Sequence, residues 1–190
     1  MRKYVLTMCA LLMAGFTMTF AQGLTLKPGQ KLSFDVDYQG TKYQFLMNLK
    51  KIDNTIEYDW AMSSSTAMQG SVLMKNSSLK KGVALDNFFN AGEKKRLDSF
   101  TCGFISWLSF DTVNEKGKVK MDAGNGRGKM IFVKKPVPPG QEIILDGQAL
   151  DVLYMESEDG KEKFWILNNP KTPLILKMDL GWTLAISKVE

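Results

Sequence analysis

The sequence predicts an all-β (β-dominated) fold: a large curled antiparallel sheet, a half-barrel or open barrel, with one or two short helices covering its concave face. Three observations predict it. Apolar and polar residues alternate with period two over long stretches of the 190-residue chain. Short turns rich in Gly, Pro, Asn and Asp separate those stretches, and no helical pattern of ordinary length competes with them.

In the first alternating stretch Leu32, Phe34, Val36 and Tyr38 share one side, with Ser33, Asp35 and Asp37 on the other. Gln39-Gly40-Thr41 turns the chain, and Tyr43, Phe45, Met47 and Leu49 alternate again. After Asp53-Asn54 come Ile56, Tyr58, Trp60 and Met62, opposed by Thr55, Glu57, Asp59 and Ala61. This patterning means antiparallel strands with one buried and one wet face, here a three-stranded meander. Asp35, Asp37, Glu57 and Asp59 are read as its wet face.

From Ser63 to Thr112 the pattern weakens. Val72-Leu73-Met74 reads as a short strand, and Asn76 to Lys81 as a helical turn ended by Gly82. The stretch from Phe100 to Phe110 is crowded with apolar residues and must pack on something. Ser109 reads as the N-cap of a short helix that Gly117 terminates.

The C-terminal half returns to strands: 118–123, 129–135, 142–145, 148–156, 163–167, 174–180 and 182–189. The links between them are short, so successive strands are expected to pair as neighbours, and a sheet of that many strands curls. Phe164-Trp165-Ile166-Leu167 is apolar on both faces and therefore covered on both. The Phe100–Phe110 segment is the expected cover, with Trp107 reaching into the concave face.

Residues 1–21 read as a secretory signal peptide: Arg2 and Lys3, an uncharged apolar run from Tyr4 to Phe20, and a Thr19-Phe20-Ala21 end. The run is short for a spanning helix and is diluted by Thr7, Thr17 and Thr19. Cys9 lies inside the run and lacks a small residue before it, which excludes a lipoprotein signal. Cleavage near Ala21 leaves 169 of 190 residues, 22–190, as a single β-rich domain in the periplasm or secreted. Loss of Arg2 and Lys3 takes the formal charge from +5 to +3. The lysines occur mostly as scattered pairs, with Lys94-Lys95-Arg96 the only triple, and read as solvated loop ends rather than a nucleic-acid surface.

The chain contains no histidine. That count removes Ser-His-Asp and Cys-His sites and nearly all zinc catalysis. Cys102 is the sole cysteine beyond the leader and, among apolar neighbours, reads as a buried inert thiol. Gly124 to Lys129 superficially resembles a phosphate loop, but strand-like flanks make it a glycine-rich hairpin. Glu156, Glu158 and Asp159 read as solvated turn residues, and no calcium-loop spacing occurs. Asn76-Ser77-Ser78 forms a glycosylation sequon, meaningful only in a eukaryotic secretory pathway.

Lys163-Phe164-Trp165-Ile166-Leu167, Asn169-Pro170 and Pro173-Leu174-Ile175-Leu176-Lys177-Met178, with Gly29-Gln30 after the leader, resemble uncharacterised β-rich envelope proteins exported by Gram-negative bacteria. The resemblance covers roughly the last thirty residues. It implies a periplasmic location and a bent antiparallel sheet, and no activity.

The expected role is non-enzymatic: a periplasmic binding protein sheltering a lipid or other apolar ligand in its curved sheet. The expected lining is Phe45, Tyr58, Trp60, Met62, Phe104, Trp107 and Trp165, with methionines as adaptable packing. No catalytic residue, metal ligand or cofactor is assigned. The alternative is a structural or interaction component of a cell-envelope complex. Expected partners are an apolar small molecule or envelope proteins, not nucleic acid, and no membrane span is expected after cleavage.

Overall fold

The computed structural model describes residues 23–190. The leader expected at residues 1–21 and its cleavage near Ala21 lie outside the described residues. The alternating stretches become β1 (Lys31–Tyr38), β2 (Thr41–Ile52) and β3 (Ile56–Met62), whose apolar residues are buried at every second position. Then follow β4 (Ser65–Met74), α1 (Asn76–Lys81), β5 (Lys94–Leu97) and α2 (Trp107–Lys116). The C-terminal half supplies β6 (Lys118–Asp122), β7 (Lys129–Lys135), β8 (Ile144–Leu145) and β9 (Gln148–Ala149). It ends with β10 (Val152–Ser157), β11 (Lys163–Leu167), β12 (Ile175–Asp179) and β13 (Thr183–Val189).

Eleven of these strands form one sheet in the order β5-β4-β3-β2-β1-β13-β12-β11-β10-β7-β6, and β8 pairs with β9 apart from it. Every neighbour is antiparallel except β4 and β5, which run parallel. The sheet does not close on itself. Neighbours in sequence do pair as expected from β1 to β4 and from β10 to β13. The exceptions are informative: β1 pairs with β13, and β7 pairs with β10 because residues 136–150 leave the sheet to make the β8–β9 hairpin.

Directly opposed residues of an antiparallel pair share a face. Phe164 opposes Met178, Met178 opposes Leu184, and Leu184 opposes Val36. One apolar face therefore runs unbroken from β11 to β1. α2 lies on it, burying Phe110 and Val113 in one cluster with Val119, Phe132, Met155 and Phe164. Its N-cap is Ser106, not Ser109: the Ser106 hydroxyl accepts the Ser109 N–H at 3.2 Å because the helix begins at Trp107. Gly117, at φ 70°, takes the left-handed position that ends it.

Three stretches departed from expectation: the single strand expected over 148–156 is divided at Leu150-Asp151 into β9 and β10. β4 begins seven residues before Val72, and its first half looks polar because β5 covers only Ser71–Met74. β5 itself arises from the Lys94-Lys95-Arg96 triple, and its alternation turns Lys95 and Leu97 inward.

Between the edge strands β5 and β6 the gap is crossed by extended chain. Val83 and Leu85 hydrogen-bond to Asp122 of β6, and Ala84 and Asp86 to Thr101. The 101–105 segment then runs inward: Gly103 O accepts the Ile175 N–H at 2.9 Å, and the Ile105 N–H donates to Pro173 O at 3.1 Å. It enters where β13 leaves β12 to pair with β1, and Phe104 is fully buried. At Gly103 φ is 71°, and a Cβ would lie 3.0 Å from the Met47 methyl.

Carboxylates at the β10–β11 end are tied to cations. Asp159 accepts from Arg127 at 2.8 Å and from the Ser157 hydroxyl, and both hold its carboxyl well below the usual carboxylate range. Glu156 is lowered by the Lys135 ammonium and then by the Tyr154 hydroxyl. They were expected to be merely solvated.

Gly103→Ala should lower unfolding free energy by about 1–2 kcal/mol for the left-handed backbone, and Phe104→Ala by about 3–5 kcal/mol, both read from urea unfolding. Lowered folded-state pKa values mean that the Asp159 and Glu156 contributions are present above their unfolded values, near about 4, and are lost as pH falls through the folded ones. Asp159→Asn and Glu156→Gln should therefore lose stability at neutral pH and show a flatter acid limb of urea midpoint against pH than the parent chain.

Candidate functional site: a cavity in the curled sheet

The strand directions place the 39–40, 63–64, 123–128, 158–162 and 180–182 connections together at one end of the sheet. A cavity of about 500 Å³ opens at that end. Its walls come from the buried face: Phe34 and Val36 of β1, Phe45 of β2, Met178 of β12 and Leu184 of β13. Its floor is Met47, Tyr58, Cys102, Gly103 and Ile175, so the 101–105 segment closes it from below. This volume falls in the range of small-molecule sites, and the lining is dominated by apolar and aromatic side chains as such sites are.

The remaining wall is the irregular segment Asn87-Phe88-Phe89. Phe89 stacks into the sheet, its ring centroid 4.9 Å from Phe45 and 4.8 Å from Trp60. Lys95 holds the segment from behind. Its side chain is only 4% exposed, and its ammonium donates to Asp86 at 2.6 Å and to the Phe88 carbonyl. The same ammonium lies 5.1 Å from the Phe89 ring centroid. A buried charge with such partners is fixed in place, whereas the expected reading of this lysine was a solvated loop end. Phe88 turns outward and is 69% exposed.

The mouth is polar without being ionic. Tyr38, Gln39, Tyr43, Asn87, Asn125 and Trp182 stand there, and among the described residues no Lys, Arg, Asp or Glu lines the cavity. Asn87 donates to Ala123 O at 2.7 Å, and Asn125 donates to Glu162 at 3.2 Å. Burial raises the Tyr43 phenol above its ordinary value, with a smaller push from Tyr38.

Of the seven expected lining residues, three meet here: Phe45, Tyr58 and Met62. Trp60 supports the wall from behind through its contacts with Phe45 and Phe89. Phe104 is buried below the floor. Trp165 lies on the other face of β11 from Phe164, packed on Tyr154 at 4.9 Å and capped by the Lys177 ammonium at 4.4 Å. Trp107 does not reach into the concave face. Its indole N–H donates to Lys171 O at 3.1 Å, and it lines a cleft at the opposite end with Ile52, Asp53 and Thr172.

Sequence reasoning missed Asn87, Phe88, Phe89, Asn125 and Trp182. The available signal was Phe88-Phe89, an aromatic pair inside a polar loop, which water does not hold in place. The glycine-rich 124–128 stretch is the β6–β7 hairpin expected, and it bears on the cavity through Gly124 and Asn125. Among the described residues no group of three or more metal-binding side chains gathers, and no helix is long and apolar enough to cross a membrane.

Cys102 faces the cavity floor. Burial pushes its thiol up to about 12, despite a smaller opposing effect from Tyr58, whose hydroxyl donates to the Cys102 carbonyl at 3.2 Å. At about pH 8 an aromatic disulfide reagent should modify native Cys102 roughly three orders of magnitude more slowly than the denaturant-unfolded chain, because the thiolate is the reacting form. No family model, curated protein or solved structure matches this chain.

Proposed function

We propose that this chain is a non-enzymatic, extracytoplasmic binding protein that shelters an apolar ligand in the open-ended cavity of its curled sheet. The observation that carries the proposal is the cavity itself: about 500 Å³, walled by apolar side chains and, among the described residues, free of ionic lining groups. An apolar hollow gains by taking up an apolar solute, because burying that solute's surface is worth roughly 25 cal/mol per Å². Met47, Met62, Met68 and Met178 supply adaptable walls, since unbranched thioethers repack around different shapes. Cys102 supports the non-enzymatic reading, as its thiol is shifted away from the range of an activated nucleophile. The signal peptide read at residues 1–21 supports the extracytoplasmic address.

The test is uptake of N-phenylnaphthylamine, a neutral dye that brightens in apolar surroundings, by the purified protein. Saturable uptake at one dye per chain is expected. Val36→Trp fills the cavity from the β1 wall and should weaken uptake at least about tenfold, equivalent to about 1.4 kcal/mol, while far-ultraviolet circular dichroism stays unchanged. Native mass spectrometry of protein purified gently from its own cells should show an adduct that is lost on denaturation. Absence of both dye uptake and adduct would defeat the proposal.

A further inference from the structure

The sheltering role leaves open what chemical end the ligand presents at the mouth. Resting on that reading, we infer that the cavity selects ligands whose polar end is uncharged, a hydroxyl or amide as in a fatty alcohol or acylglycerol, and discriminates against an ionised carboxylate.

The mouth offers hydrogen bonds but no counter-charge. Its polar side chains are phenols, amides and an indole. Asn87 places one of its two amide N–H donors on Ala123 O, and its side-chain carbonyl oxygen remains available as an acceptor. The Tyr43 hydroxyl makes no hydrogen bond among the described residues, although it is half-buried. An unpaired acceptor and an unpaired hydroxyl are the complement of a group that both donates and accepts.

The nearest ionic groups argue against an anion. Behind Asn125, Arg127 and Lys161 are matched by Asp159 and Glu162, so this cluster has no charge to spare. Behind Phe88 and Phe89, Lys95 is shared between Asp86 and Glu93, an excess of one negative charge. At the β1–β2 turn Lys42 faces Asp37 at 4.0 Å, with no excess. Each cation of these three groups already faces a carboxylate. A carboxylate drawn into the mouth would lose its water without gaining a partner, and would enter instead as the neutral acid.

That requirement has a pH signature. With an ordinary carboxyl pKa near about 4.3, about one molecule in a thousand is neutral at about pH 7.5. Displacement of N-phenylnaphthylamine by decanol and by decanoate compares two ligands of one chain length, short enough to draw the polar end into the mouth. At about pH 7.5 decanol should displace the dye at a concentration at least about tenfold lower. Between about pH 7.5 and about pH 5.5 decanoate should gain nearly tenfold for each unit of pH, while decanol stays level. Met62→Lys places a cation on the rim and should bring decanoate to within about threefold of decanol. Equal displacement at about pH 7.5, a level pH profile for decanoate, or an unchanged preference in Met62→Lys would overturn the inference and leave sheltering intact. Dye uptake that neither ligand displaces, or no uptake at all, would overturn the sheltering reading and the inference with it.

Discussion

Thr101 to Ile105 is a stretch of extended chain held inside the curl of the sheet, and its position is determined by its own peptide groups. Buried N–H and C=O groups must find partners. Those of Thr101 find Ala84 and Asp86, while those of Gly103 and Ile105 find Ile175 and Pro173. The segment is thus tied at one end to the chain that spans the open gap and at the other to the start of β12. Much else follows from this tie. Ser106 comes next in the chain, so the start of α2 is set by where the segment ends. The cavity has a floor because Cys102 and Gly103 cross beneath it. The apolar interior falls into two clusters, with Phe104 in one and Ile105 in the other.

A hollow in an otherwise packed domain has an energetic cost, since its lining forgoes contacts that a filled core would make. Here the cost is borne beside some of the firmest packing in the molecule. Phe45 and Phe89 of the wall pack on each other and on Trp60 behind it, and Lys95 fastens the spanning segment with a buried ammonium. The walls keep their shape because the residues behind them cannot relax inward. Such a hollow is pre-formed, and a pre-formed site spares its ligand part of the ordering entropy of binding.

Much of this was legible in the sequence, and the limits are physical. Alternation in β1 to β3 assigned Phe45, Tyr58 and Met62 to the buried face correctly, since period two leaves only two choices and the acids take the other. Trp165 defeated the same logic, because a strand apolar on both sides does not say which side faces the hollow. Alternation also reports direction and not depth: Trp60 points the same way as Tyr58 and Met62 yet sits behind the lining. Lys95 was misread because charge ordinarily marks the surface, and only the position of Asp86, which no local pattern reveals, makes its burial affordable. The 86–89 segment has no periodicity, so its role as a wall depends wholly on tertiary contacts. Trp107 was expected inside from its greasy surroundings, but its N–H is satisfied at Lys171, outside the curl.

The pairing of β1 with β13 joins strands more than 140 residues apart in sequence at the middle of the eleven-stranded sheet. Without β13 the sheet falls into two pieces, a meander of β1 to β5 and a second block of β6, β7 and β10 to β12, each exposing a bare inner edge. A growing chain therefore cannot assemble its central seam until β13 has been synthesised. Contacts so distant are also intrinsically slow to form. The architecture itself thus postpones the compact state until β13 arrives.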